Sequence, residues 1–377
     1  MGGAETWLME LLRFWSKTGA CQVDFVATSG KPGIFDEEAR ALGAKIHYVR
    51  YGRSYLRKFA KEFRRILRLG HYDAVHDHQD YASGWHFLIG AGVLPQVRVT
   101  HLHNPWLHIE ANYAISPVRR LTALMGKRLV HRFATHVCGT SREILLRYGF
   151  DLTQTQPSVR ALHCGFDIGK FNAGRKVDRT SVLREFCWPE DTQLVLFVGR
   201  LDRALIFNHP QNHKNSWFAV NVARAALEIQ PSVRFLMAGA GDGSRQELES
   251  RIQQWGLKEK MRLIGIRRDV ARLMRAADVL FFPSRQEGLG MVAVEAQAAG
   301  LPVLASSAVP SECVVVPELY HSLSLGDPIE KWADTLIKTI THPRPAPERC
   351  RQALENSAFS IENSSQHLMG IYGHFPQ

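Results

Sequence analysis

The sequence predicts an α/β protein built from two doubly wound halves, each a parallel sheet flanked by helices. Three observations carry this. Short apolar runs rich in β-branched and aromatic residues alternate with amphipathic helical stretches along the whole chain. The alternation stops at a polar, breaker-rich stretch and restarts at Leu194. The chain has 377 residues, more than one core usually supports. Hydrophobic content of 45% and charged content of 22% are ordinary for a folded domain and argue against disorder. No run of about twenty apolar residues is present, so no membrane-spanning helix is expected. The N-terminus lacks the basic, apolar, small-residue order of a signal peptide.

The six cysteines (Cys21, Cys138, Cys164, Cys187, Cys313 and Cys350) show no C-x-x-C spacing. They argue against zinc and against a disulfide framework, and they fit a reducing cytosol. The expected location is cytoplasmic, peripheral at the inner membrane face. The net charge is +11. Residues 1–172 hold 23 Lys and Arg against 14 Asp and Glu, so the excess lies in the first half. An anionic membrane surface is one partner that would explain it. No RNA- or DNA-binding motif is visible, so nucleic acid is not expected.

In chain order, Met1-Gly2-Gly3-Ala4-Glu5 leads into a helix over Thr6–Trp15, with Trp7, Leu8, Leu11, Leu12 and Trp15 on one face. No strand precedes it, although the first strand of such a half is normally central. A gap in the sheet or a rearrangement is expected, and a truncated or misassigned start would explain it. Val23–Val26 is a strand, Phe35–Leu42 a helix and Lys45–Val49 a strand. The helix Tyr55–Leu69 sets Leu56, Phe59, Phe63, Ile66 and Leu67 against seven basic residues counted from Arg53 to Arg68. Its basic face suits solvent or an anionic membrane.

Asp73–His76 and Val97–Thr100 are strands ending in HDHQD and HLHNPW. Histidines at the carboxyl ends of parallel strands lie where α/β crevices bind ligands. Each His-x-His pair also suits a metal, but no third and fourth ligand is spaced nearby, and no metal site is expected. Arg119–Phe133 is a second basic amphipathic helix. His136–Ser141 is a strand with a helix cap, and Arg142–Tyr148 the helix it starts. The boundary between domains 1–172 and 173–357 is expected near residues 170–180, where the run GRKVDRTS is polar and breaker-rich.

The second half opens with strand Leu194–Val198 and then Gly199-Arg200-Leu201. Helix Trp217–Ile229, strand Phe235–Ala238, a glycine loop from Gly239 and strand Arg262–Gly265 follow. The stretch Asp278–Ser306, DVLFFPSRQEGLGMVAVEAQAAGLPVLAS, is a compact βαβ unit. Val279–Phe282 is the strand, Gly288 and Gly290 punctuate a loop, Met291–Ala299 is the helix, and Val303 begins the next strand. A glycine loop at a helix N-terminus offers free N–H groups and a positive dipole end to a phosphate. Glu287 precedes the loop, and Glu295 lies eight positions on, inside an otherwise apolar helix. An amphipathic helix at Trp332 and a last one within Ser360–Gln377 complete the chain.

Glu287-Gly-x-Gly-x4-Glu295, within its surroundings, resembles the E-x7-E signature of the retaining GT-B glycosyltransferases of family GT4 (glycosyl transferases group 1). The opening GG-x-E loop, RVTHLHNP, Gly165-Phe166-Asp167-x3-Phe171 and Gly199-Arg200-Leu201 resemble that family too. Cys164 stands where the family has Asn. The resemblance implies a GT-B fold: two Rossmann-like domains facing across a cleft, with a C-terminal helix, about 358–377, crossing back to the first. It implies a metal-independent, retaining hexosyltransferase using a UDP- or GDP-linked sugar, without other cofactor, on a glycan or lipid-linked acceptor.

Arg200 and Lys214 would clamp the donor diphosphate, Lys214 after an insertion, DRALIFNHPQNH. Glu295 would bind the ribose hydroxyls. Glu287 would hold the donor sugar, helped by the backbone of Gly288, Leu289 and Gly290. Arg267, in a G-x-R-x-D-V-like stretch, would mark the base-recognition loop. Gly2 and Gly3 would let the acceptor-side loop approach the diphosphate. His103 best fits the family's strand-end histidine near the reacting carbon, with His101 as second choice. Two other readings are a GT-B nucleotide-sugar epimerase and a catalytically inactive, membrane-associated partner subunit.

Overall fold

Apolar runs flanked by breakers become strands, and the amphipathic stretches between them become helices. The structure is a computed structural model that describes residues 3–105, 116–171, 174–203, 205–207, 209, 212–241 and 245–373. The chain divides into two units, Met1–Asp167 with Ala358–Gln377, and Ile168–Ser357.

The first unit begins with α1 (Gly3–Thr18), which buries Trp7, Leu11, Leu12 and Trp15. Strands β1 (Asp24–Ala27) and β2 (Lys45–Tyr48) flank α2 (Asp36–Ala41) and pair in parallel. Then come α3 (Leu56–Gly70), β3 (Ala74–Asp77), α4 (Ala82–Gly90), β4 (Val97–Leu102), α5 (Pro117–Phe133), β5 (His136–Gly139), α6 (Arg142–Arg147) and β6 (Ser158–Ala161). Strands β3, β4, β5 and β6 form a second sheet in that order, all parallel.

The expected gap is present: among the described residues no strand joins β1 to β3. A hydrogen bond reaches from the start of one sheet to the start of the other, Tyr72 Oη donating to Asp24 Oδ2 at 2.7 Å. All residues of β1 and β3 are only half-buried, as strands are when an edge that would normally be covered stays open.

The second unit runs α7 (Arg175–Glu185), β7 (Gln193–Val198), α8 (Ser216–Ile229), β8 (Val233–Ala238), α9 (Arg245–Gln254), β9 (Met261–Gly265), α10 (Val270–Ala276), β10 (Val279–Phe282), α11 (Met291–Ala298), β11 (Val303–Ser306), β12 (Tyr320–Leu323), α12 (Ile329–Ile340) and α13 (Pro347–Glu355). Its sheet has the order β12-β11-β10-β7-β8-β9, all parallel. Strands β10 and β11 are buried at every position, which explains their unbroken apolar sequence. The last helix, α14 (Ile361–Tyr372), lies in the first unit against α1. There Trp7 Nε1 donates to Ser364 Oγ at 3.2 Å and Trp15 Nε1 to Ser365 Oγ at 2.7 Å. The polar ends of two buried indoles are thereby satisfied.

Within the polar run expected near the boundary, residues 175–181 are helical, in α7. Local composition reads as polar loop because its partners are distant. Arg175 Nη2 and Arg179 Nη1 reach the buried Asp278 at 3.0 and 2.9 Å, and Arg275 Nε reaches Asp178 at 2.6 Å. Asp278 also accepts from the Leu194 amide at 2.8 Å, so one carboxylate ties α7 to β7 and β10. Helices α4, α9 and α13 and strands β6 and β12 carry too weak a periodicity to be read locally. Among the described residues no helix is long and apolar enough to cross a membrane.

Candidate active site

Strand order in the second sheet reverses between β7 and β10. Such a switch point opens a crevice beyond the carboxyl ends of the strands. The chain leaves β7 through Gly199 and Arg200, and leaves β10 through Pro283 toward Glu287. Gly199 packs so tightly that an added Cβ would lie 3.0 Å from Lys214 Cγ. The lysine stem therefore crosses the end of β7, with Nζ 5.2 Å from the Phe282 ring centroid. Nζ pairs with Glu287 Oε1 at 2.6 Å, and both side chains are partly buried. Arg200 is exposed just past the strand.

The insertion before Lys214 is pinned at both ends. Asp202, almost fully buried, accepts from the Trp217 amide at 2.8 Å, while its own amide donates to Ser216 Oγ at 2.7 Å. Burial pushes its carboxyl above the usual range. The Arg203 amide donates to Asn212 Oδ1 at 3.0 Å. Within the insertion Ala204, Asn208, Pro210 and Gln211 lie outside the described residues, as do Gly2, Asp242 and Gly243.

Gly288 is half-buried, Leu289 buried, and Gly290 caps α11 with φ of 93°. A side chain at Gly290 would be strained at that φ, and its Cβ would also lie 2.8 Å from Val309 Cγ1. No side chain caps α11; the Ala293 amide donates to the Gly290 carbonyl at 2.8 Å, and the two amides before it are those such a terminus can offer to an anion. Glu295 sits half-buried in the second turn of this helix. Two residues on, the fully buried Gln297 was not singled out from sequence. Its Nε2 donates to the Ala293 and Cys313 carbonyls and its Oε1 accepts from the Val315 and Val316 amides, all at 2.8 Å. That fixes the segment 313–316 against α11.

The Arg267 side chain is engaged with two carboxylates. Its Nε and Nη2 reach Asp269 at 2.7 Å and its Nη1 reaches Glu185 at 2.6 Å. Arg272 Nη1 joins the same two carboxylates at 2.8 and 3.0 Å. These guanidiniums hold Asp269 and Glu185 below the usual carboxylate range. Gly3 is exposed at the start of α1, with nothing within 4 Å of an added Cβ.

His103 stands at the end of β4, and three more histidines surround it. Strands β3 and β4 pair with His76 opposite Val99. Alternation then places residues 76 and 78 on the same face as 101 and 103. His76 Nε2 lies 3.2 Å from His101 Nδ1, and His78 Nδ1 lies 2.8 Å from His103 Nε2. Trp7 covers the group, its ring centroid 5.2 to 6.3 Å from each imidazole. Desolvation lowers all four imidazoles, His78 to about 4.

Beneath them Asp80 Oδ1 accepts from the His103 amide at 3.2 Å and Oδ2 from Asn104 Nδ2 at 2.6 Å. Burial raises its carboxyl to about 6. The expectation that neither His-x-His pair has further ligands near it holds along the chain and fails in space. The signal that would have found the cluster is the recurrence of the pair at the ends of two successive parallel strands.

Two family models match the chain: Glycosyltransferase Family 4 over residues 1–168 and Glycosyl transferases group 1 over residues 192–342. The Bacillus subtilis (strain 168) glycosyltransferase EpsF is 29% identical over 375 residues, 98% of this chain and 93% of that one. The D-inositol 3-phosphate glycosyltransferase of Mycobacterium bovis is 27% identical over 321 residues, 80% of this chain and 62% of that one. Among solved structures, Anabaena HepE in complex with UDP and glucose superposes with a TM-score of 0.75 at 19% identity, covering 99% and 96% of the two chains. WaaG, a glycosyltransferase involved in lipopolysaccharide biosynthesis, superposes with a TM-score of 0.71 at 16% identity, covering 98% and 97%. With a switch-point crevice carrying the Glu287–Glu295 signature and these models spanning both halves, the chain belongs to the GT-B glycosyltransferases of family 4, the glycosyl transferases group 1.

Proposed function

We propose that the chain transfers a sugar from a nucleoside-diphosphate sugar to a hydroxyl of a glycan or lipid-linked acceptor, with retention of configuration, in the synthesis of a cell-surface polysaccharide or glycoconjugate. The observation that carries this reading is the group at the switch point: Arg200, the Lys214–Glu287 pair and the uncapped N-terminus of α11. In the reaction the bond from the anomeric carbon to the diphosphate oxygen breaks, and its electron pair stays on that oxygen. The acceptor oxygen bonds the same carbon on the same face, and the acceptor proton passes to the departing phosphate.

Charge grows on the diphosphate as that bond breaks. Arg200, Lys214 and the α11 dipole offset it without a metal at the phosphates. Glu295 accepts from the ribose diol, since two carboxylate oxygens match two adjacent hydroxyls. Glu287, with the backbone of Gly288 to Gly290, holds hydroxyls of the donor sugar. The Arg267 loop meets the base through backbone groups, its guanidinium being engaged elsewhere. His103 contacts the reacting centre, and Gly3 leaves space for the diphosphate. The UDP complex of HepE supports a uridine donor.

For a lipid-linked acceptor, α5 supplies a surface: Val118, Leu121, Leu124 and Met125 are exposed beside Arg119, Arg120 and Arg128. An exposed apolar strip with basic neighbours suits an anionic bilayer.

Calorimetry with UDP and GDP, together with donor hydrolysis and transfer assays, tests the donor assignments in Arg200→Ala and Glu295→Ala. Each substitution is expected to weaken nucleotide binding by about 10- to 100-fold, the worth of a charge-assisted hydrogen bond. Wild-type affinity and rates in both variants would remove the assignments. An isomerised free sugar formed without acceptor would move the activity to epimerisation.

A further inference from the structure

We propose that the strand-end histidines of the first unit form a binding site for a divalent transition metal, with His76, His78 and His101 as ligands. Each of the three offers a ring nitrogen, and those nitrogens lie within 4.8 Å of one another. The closest pair, His76 Nε2 and His101 Nδ1, is 3.2 Å apart. Two imidazoles bound tetrahedrally at about 2.0–2.1 Å put their nitrogens about 3.3 Å apart, so this pair already stands at ligand spacing. Neutral imidazole is the form that binds metal.

The surroundings suit a metal site as well. His76 Nδ1 lies 2.7 Å from Tyr372 Oη on α14, so Tyr372 holds the far nitrogen and turns Nε2 toward the group. His103 does the same for Nδ1 of His78 at 2.8 Å. The paired strands β3 and β4 hold His76 and His101, and His78 directly follows the last residue of β3. Three imidazoles leave a fourth tetrahedral position for water.

An all-imidazole set selects zinc, copper or nickel over magnesium and calcium, which prefer oxygen ligands. Every ligand belongs to the first unit, whereas Arg200 and Lys214 belong to the second. The proposal does not rest on the transferase reading.

Isothermal titration of the full chain with Zn2+, Ni2+ and Mg2+ tests it, together with zinc-edge X-ray absorption. One zinc per chain is expected, with scattering from three imidazoles at about 2.0 Å, and no binding of Mg2+. His78→Gln should weaken zinc binding by at least about tenfold and Tyr372→Phe by about tenfold, the usual cost of losing a ligand-orienting group. His321→Gln, in a histidine pair of the second unit, should change nothing. Absence of zinc binding, equal affinity in His78→Gln, or absorption lacking imidazole scattering overturns the proposal. The absorption measurement decides the matter in the wild-type chain even if a variant misfolds.

Discussion

Asp269 and Glu185 share two guanidiniums, Arg267 and Arg272. Both carboxylates are held below their ordinary values of about 3.9 and 4.3. With folded-state values depressed, their stabilising effect is complete above those ordinary values and disappears as pH falls through the folded ones. The second unit should therefore lose stability on acidification below about pH 4, and Asp269→Asn should flatten that loss. Because a third of each carboxylate is exposed, the expected difference is about 1 kcal/mol. Urea denaturation at pH 6 and pH 3 measures it, and identical pH dependence in the two proteins would refute it. The sequence places Arg267 two residues from Asp269 and hides Glu185, which is 82 positions away. The reading of this loop as a ligand contact was open for that reason. The arginine side chain bridges Glu185 of α7 and Asp269 at the start of α10.

At the scale of elements, apolar spacing located most helices but could not tell which face meets what. Helix α3 has the strongest basic pattern, yet its Phe59, Phe63, Ile66 and Leu67 are buried. Arg64 is also turned inward, donating to the Ile89 and Ala91 carbonyls at 2.9 and 2.7 Å. Outside lie the basic side chains, with Leu56 and Leu69 exposed at the two ends of the helix. Helix α5 differs, because its exposed face keeps four large apolar residues. Membrane attachment, if it occurs through this unit, should then depend on α5. In cosedimentation with anionic vesicles, a Leu121→Ser, Leu124→Ser double variant should bind about tenfold more weakly than wild type. The estimate follows from removing two partly inserted leucines at about 1 kcal/mol each. Equal binding of both proteins, or none by wild type, would reject this face.

At the scale of the whole molecule, the two units are unequally closed. The second has a continuous six-stranded sheet, while the first has sheets of two and four strands separated by a gap. Open strand edges and half-buried strands give local unfolding less to overcome. Calorimetry should resolve two transitions, the first unit melting lower. With the nucleotide held by the second unit, as proposed, UDP or GDP should raise the upper transition alone. At a hundredfold excess over Kd the gain is about 2.7 kcal/mol, or roughly 5–10 °C for a unit of this size. A single transition, or a nucleotide shift of the lower one, would contradict this.

Local pattern was enough for the fold class, the restart of the alternation at the second half and the Glu287–Glu295 spacing within its βαβ unit. Each of these is written in residues close together in sequence, where periodicity, glycine and charge act over a few positions. Tertiary structure alone decided the rest. It paired Lys214 with Glu287 across 73 positions, made the polar run 175–181 part of α7 and joined Arg267 to Glu185. It also gathered His76, His78, His101 and His103 into one group. Those histidines meet only because β3 and β4 pair in parallel and in one register. A shift of one residue would send one pair to the opposite face of the sheet. Strand order and register are properties of the packed chain, so the group they assemble is absent from any local reading of its parts.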